Sequence, residues 1–235
     1  LQTNSTGSYN TAIGMYALTS NTTASYNTAA GYQAGYSNTT GYNLTAIGSA
    51  AAYGMTTGTD NTAVGRQALA TETVGTNNTA IGSKALVSQN NAANNVAVGF
   101  AAGYTITSGG DNTILGANTL FLNTTGSYNT ALGRQALYNN TTASNNTAVG
   151  YQAGYSNTTG APNSFFGYQA GYSNTTGGEN TFIGAVAGYG NTTGIDNTSL
   201  GRAALYTNST GSYNTAIGEE AMRFSTASYN TAVGY

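Results

Sequence analysis

The chain has 235 residues, with no histidine, no cysteine, no tryptophan and a single proline. Only 5% of its residues are charged, against roughly 25% in ordinary soluble domains. Each shortage excludes a class of protein. Without His or Cys, the usual nucleophile–base pairs and zinc sites cannot be assembled, and no disulfide can form. Five Lys and Arg stand against seven Asp and Glu, for a net charge of −2. That leaves no basic footprint for nucleic acid and no basic face for a membrane surface. No apolar run approaches the roughly 20 residues that span a bilayer, and no signal-peptide pattern is visible. The expectation is a protein that is not an enzyme, carries no cofactor or metal, and binds neither nucleic acid nor membrane. Disorder is disfavoured too, because a disordered chain usually has high charge and few aromatics, whereas this one has 19 Tyr.

What is present is a repeat. The motif N-T-A-[IV]-G recurs with its glycine at Gly14, Gly31, Gly48, Gly65, Gly82, Gly99, Gly116, Gly133, Gly150, Gly167, Gly184, Gly201 and Gly218, every step being 17 residues. A last copy ends at Gly234 after 16 residues. With each of these glycines as position 0, position −4 is a column of asparagines: Asn10, Asn27, Asn61, Asn78, Asn95, Asn112, Asn129, Asn146, Asn163, Asn180, Asn197, Asn214 and Asn230, interrupted only by Leu44. Position −1 is aliphatic in nearly every copy, +3 is Ala except at Thr119, and +4 is mostly Leu or Gly. Position +7 is most often Asn, followed by Thr-Thr and then Gly or Ala.

Gly, Asn and dense β-branched Thr disfavour helix. The unit reads as a strand over N-T-A-I-G, a second short strand around +2 to +6, and a polar N-T-T-G turn. Stacked at about 4.8 Å per coil, such units form an all-β fold: a parallel β-solenoid, or β-roll, of about fourteen 17-residue coils. Like residues then lie in ladders, and Asn ladders stack well. Residues 1–235 form a single repeat array, read as an excerpt of a longer fibre. Arg66, Arg134 and Arg202 recur at +1 every four coils, which points to duplication of whole blocks.

Each coil offers about two large apolar side chains, at −1 and near +4, to offset the ordering of 17 residues. A lone thin coil is therefore marginal, and association of several chains around a shared core is expected. Where +4 is small, +5 is Tyr, as in Gly35–Tyr36, Gly154–Tyr155 and Gly188–Tyr189. Either the ring folds over the small residue, or the tyrosines form a surface aromatic ladder for a sugar or another filament.

The +7 asparagines Asn4, Asn21, Asn38, Asn123, Asn140, Asn157, Asn174, Asn191 and Asn208 each head an N-[TS]-T sequon in one phase. They are candidate glycosylation sites, with good turn chemistry as the plainer explanation. Further sequons lie at Asn43, Asn77, Asn139, Asn145 and Asn197. Asp60, Asp111, Glu179 and Asp196 share position +12. One carboxylate per coil does not make an acid–base pair, so they read as turn residues.

The stretches N-T-A-I-G-x-x-A-L and N-T-A-V-G-Y-Q-A-G resemble the head repeats of YadA-like trimeric autotransporter adhesins, whose coils carry a similar N-S-V-A-I-G element. Similar Asn-Thr-Ala-x-Gly repeats occur in phage tail-fibre-like proteins. The resemblance covers the whole chain, although the period of 17 is longer than usual in those heads and Thr stands where they have Val. It implies a left-handed roll, a trimer and a surface location, extracellular or on a cell or virion. Fold does not fix function. The expected role is a structural extracellular fibre or filament subunit whose partner is itself, in a trimer or joined end to end. An adhesin or tail-fibre shaft presenting a receptor-binding tip outside this segment is the alternative. Ice or polysaccharide binding by a flat Thr-Thr ladder is a third reading, and a surface glycan or receptor a further partner.

Overall fold

The computed structural model describes residues 1–235 as two compact units, Leu1–Ala117 and Asn118–Tyr235. Each unit is a parallel β-solenoid without helix. The first holds β1 (Thr11–Ile13), β2 (Thr28–Ala30), β3 (Thr45–Ile47), β4 (Thr62–Val64), β5 (Thr79–Ile81), β6 (Val96–Val98) and β7 (Thr113–Leu115). The second holds β8 (Thr130–Leu132), β9 (Thr147–Val149), β10 (Asn163–Phe166), β11 (Asn180–Ile183), β12 (Thr198–Leu200), β13 (Thr215–Ile217) and β14 (Thr231–Val233). Within each unit successive strands pair in parallel and in register, so that Thr11 faces Thr28 and Ala12 faces Ala29. The 16-residue step is absorbed in a turn, and β13 still pairs Thr215 with Thr231.

The local sequence explains the strand and its end. Thr and Ile flank Ala, and β-branched side chains suit extended backbone. The glycine that follows has φ between 116° and 140°, a region L-residues avoid. It also lies against its neighbour: a Cβ on Gly150 would strike the Gly167 carbonyl of the next coil. Position 0 is thus glycine for two independent reasons.

The expected second strand is not there. Residues around +2 to +6 form a turn, with positive φ at +2 (Gln152, 53°) and at +4 (Leu137, 49°). Inter-coil hydrogen bonds nonetheless continue through it. Leu18 N donates to Ala34 O and Ser20 N to Tyr36 O, both at 3.0 Å. The backbone is therefore satisfied without strand geometry.

The core also differs from expectation. Side chains alternate along a strand, and the −2 residue faces inward: Ala29, Ala46, Ala63, Ala131 and Ala148 are all fully buried. Its −1 neighbour must then face outward. Ile13 is 63% exposed, Leu115 50% and Leu200 46%, so the most conspicuous aliphatic column is a surface stripe. The interior is built from small Ala at −2 and +3, Leu or Gly at +4, and two polar columns.

Gaps left by Gly at +4 are filled from within. A Cβ on Gly188 would sit 2.6 Å from Phe182 Cγ, and one on Gly171 would sit 2.6 Å from Phe165 Cδ1. Gly35 faces Leu18 and Leu44, and Gly103 faces Leu86, Ile106 and Ile114. The idea that the +5 Tyr folds over the glycine fails: these rings stack on one another at the surface instead.

Candidate functional site: inner and outer ladders

Two asparagine columns run inside each unit. At −4, Asn27 N donates to Asn10 Oδ1 (2.9 Å) and Asn10 Nδ2 to Ala24 O (2.7 Å). The pattern recurs along the chain, as in Asn180 N to Asn163 Oδ1 (3.0 Å) and Asn180 Nδ2 to Gly194 O (2.8 Å). At Leu44 the amide is missing, and its side chain packs beside Gly35 instead. At +7, Asn157 Nδ2 donates to Asn140 Oδ1 (3.0 Å) and to Gly160 O (2.9 Å), while Asn174 Nδ2 donates to Asn157 Oδ1 (2.8 Å). Gly160 O also accepts from Asn146 Nδ2 at 3.1 Å. The +10 carbonyl thus ties the two columns together and gives a buried acceptor its partners.

In this geometry the sequon corner faces inward. Asn21, Asn38, Asn123, Asn140, Asn157, Asn174, Asn191 and Asn208 are fully buried, and only Asn4 of the nine is exposed. A glycan on a buried Nδ2 would displace the hydrogen bonds that close the coil. Of the other sequons, Asn43, Asn77 and Asn145 are exposed, Asn139 is half-buried and Asn197 is buried. The signal was available: between Asn38 and Asn123 the +7 residue is Met55, Glu72, Gln89 or Ile106, and all four are fully buried. Asn38 Oδ1, facing the coil with Met55, has no partner. Glu72 is held by four backbone N–H groups on Oε1, from Thr73, Val74, Gly75 and Asn91, and by Gln89 Nε2 on Oε2 at 3.0 Å.

The outer surface carries ladders of other kinds. At +5 in the second unit, Phe121, Tyr138, Tyr155, Tyr172, Tyr189 and Tyr206 stack in one run with ring centroids 5.0–5.2 Å apart. Arg223 closes it, 5.6 Å over the Tyr206 ring. The Tyr189 hydroxyl has its pKa pushed up, first by burial and then by Tyr172, Tyr206 and Tyr168. At +2, Gln169 Nε2 donates to Gln152 Oε1 (2.8 Å) and Gln152 Nε2 to Gln135 Oε1 (3.0 Å).

The Thr-Thr pair is not a flat double row. The +8 hydroxyls are used inside the stack: Thr158 Oγ1 donates to Thr175 O and Thr175 Oγ1 to Thr192 O, both at 3.0 Å. Only the +9 row is exposed, and Val74 and Asn91 interrupt it.

Of the +12 carboxylates, Glu179 and Asp196 lie on consecutive coils and do interact. Hydrogen bonding from Asp196, then its charge, then burial raise the Glu179 pKa above 4.5. At Glu219–Glu220, Arg202 pairs with both, and Arg223 pairs with Glu220. Hydrogen bonding to Arg223, then the charges of Arg223 and Arg202, lower the Glu220 pKa against opposing desolvation. Exposed pairs of this kind contribute little. Nowhere do three acidic side chains converge into a metal-ligating group. Comparison with protein-family models, curated proteins and solved structures finds no match.

Proposed function

We propose that this chain is a structural segment of an extracellular fibre or filament, without catalytic activity, whose working partner is another copy of itself. The supporting observation is the outward aliphatic column. In the second unit Phe166, Ile183, Leu200 and Ile217 are each at least 36% exposed, while the first has Ile13, Ile47, Ile81 and Leu115. Contiguous apolar surface of this kind marks an interaction site. A ladder of evenly spaced aliphatics is matched best by an identical ladder, and three copies would bury it around a shared axis.

The test is sedimentation combined with electron microscopy of the chain, wild type and with Ile183→Glu/Leu200→Glu. The expected result is a discrete or end-to-end homo-oligomer that the double variant dissociates. A wild-type chain monomeric at tens of micromolar would overturn the reading. The shaft alternative predicts discrete trimers, the filament reading unbounded ones.

A further inference from the structure

The outward ladders at +1, +2 and +5 come together in the second unit, where Gly-Tyr-Gln-Ala-Gly-Tyr occurs in two successive coils, at residues 150–155 and 167–172. Within one coil Tyr155 N donates to Gln152 O at 3.3 Å, so both side chains leave the same turn. The neighbouring rows are in contact elsewhere along the chain. Tyr16 at +2 meets Tyr36 at +5 edge-on at 6.4 Å, and Arg223 at +5 reaches Glu220 at +2 at 2.5 Å. Tyr151 and Tyr168 at +1 stack at 5.6 Å and are 37% and 52% exposed.

Three features define what such a strip can hold. First, it is uncharged along its middle: from Gly150 to Tyr189 these three rows contain only Tyr, Gln, Ala and Val, with Arg134 one coil before and Arg202 one coil after. Second, the ring faces of Tyr155 and Tyr172 are covered by their neighbours at 5.1–5.2 Å. A ligand meets ring edges and phenol groups and cannot stack on a face. The Tyr155 and Tyr172 hydroxyls donate to no protein group and are not among the buried unpartnered atoms, so they face solvent. Third, the Gln152 and Gln169 amides each spend one N–H on the preceding Gln and keep the other for a ligand. These two coils thus each present one phenol and one amide, repeated at the 5.1 Å spacing of Tyr155 and Tyr172.

We propose that this strip binds an extended, uncharged β-1,4-linked glycan, one sugar to each coil. Such a chain advances by nearly the same distance per sugar as the tyrosines are spaced. Its equatorial hydroxyls can both donate to and accept from phenol and amide groups. A coiled α-1,4-linked glucan falls out of register after one or two sugars, and a charged polymer finds no partner charge in these three coils. Individually weak contacts add along the strip, because each further sugar binds intramolecularly. This site goes beyond the fibre reading and does not depend on it.

The test is calorimetric titration of the intact chain with cellohexaose and chitohexaose, with maltohexaose as the control. Binding of at least one β-1,4 hexamer, weakening as the oligomer is shortened and absent for maltohexaose, is the expected result. Tyr155→Phe/Tyr172→Phe keeps the stack and removes only the hydroxyls; it should weaken binding about tenfold with an unchanged circular dichroism spectrum. Gln152→Leu/Gln169→Leu should do the same. Failure of both β-1,4 hexamers to bind at millimolar concentration, equal binding of maltohexaose, or undiminished binding by the Phe double variant would overturn the proposal.

Discussion

The interior exchange between −2 and +4 makes a sharp energetic prediction at Phe182 and Gly188. Phe182 is fully buried, and its ring occupies the space that a +4 side chain fills in other coils. Phe182→Ala leaves that space empty and should cost about 3–5 kcal/mol. Gly188→Leu alone drives a side chain into the ring and should cost at least 1–3 kcal/mol by overpacking. Backbone strain does not add to this, because Gly188 has φ 57° and Leu205, at the same position one coil on, already sits at 53°. The double variant rebuilds the Ala-plus-Leu pattern of the common coil and should lie within about 1.5 kcal/mol of wild type. The coupling energy is then roughly 3 kcal/mol or more, large for a contact pair. Stability in a repeat array is local, so the assay is hydrogen exchange of the amides from residue 182 to 191, supported by urea unfolding followed through tyrosine emission. If the double variant is as unstable as the sum of the singles, Phe182 does not substitute for the missing Leu.

Other outcomes follow from the same geometry. Asn157→Ala removes both ladder hydrogen bonds and orphans Asn140 Oδ1, costing about 2–4 kcal/mol, while Asn4→Ala at the exposed end should stay within about 0.5 kcal/mol in thermal unfolding. In a secreting eukaryotic host, intact-mass and peptide mapping of the folded protein should find glycans only among Asn4, Asn43, Asn77 and Asn145; occupancy of Asn157 in folded protein would contradict the buried column. Glu179 has a folded pKa above its ordinary 4.5. Its contribution is therefore fully present below the unfolded value and is lost as pH rises through the raised value. Midpoints measured from pH 4 to 7 should fall less in Glu179→Gln than in wild type.

Much of the architecture was legible from the beat of 17 residues. Position 0 had to be glycine, and an Asn repeated at −4 had to occupy equivalent places in stacked coils. Sidedness was harder. A three-residue strand has period two but no intrinsic inside, and hydrophobic rank favours Ile13 or Leu200 over the Ala or Ser before them. The decisive clue was a compensation across sequence distance: Phe165 and Phe182 replace the usual −2 Ala where +4 is Gly171 or Gly188, which is sensible only if −2 and +4 share a cavity. The +7 column is ambiguous for a related reason. N-T-T-G is also good turn chemistry, and only its replacements, Met55 and Ile106, betray an inward position. The second strand failed because Leu and Gln at +4 and +2 accept positive φ here, against their usual preference, in exchange for inter-coil hydrogen bonds.

The most direct test of this inside-out arrangement uses β12, where the buried Ser199 (0% exposed) adjoins Leu200 (46% exposed). The chain has no cysteine, so each introduced thiol is the only one present. Ser199→Cys and Leu200→Cys are labelled with a maleimide at a dilution where sedimentation finds single chains. The inside-out arrangement requires that Cys at 200 react at close to the rate of the urea-unfolded chain and Cys at 199 more than about tenfold slower. Equal rates, or the reverse order, would contradict it.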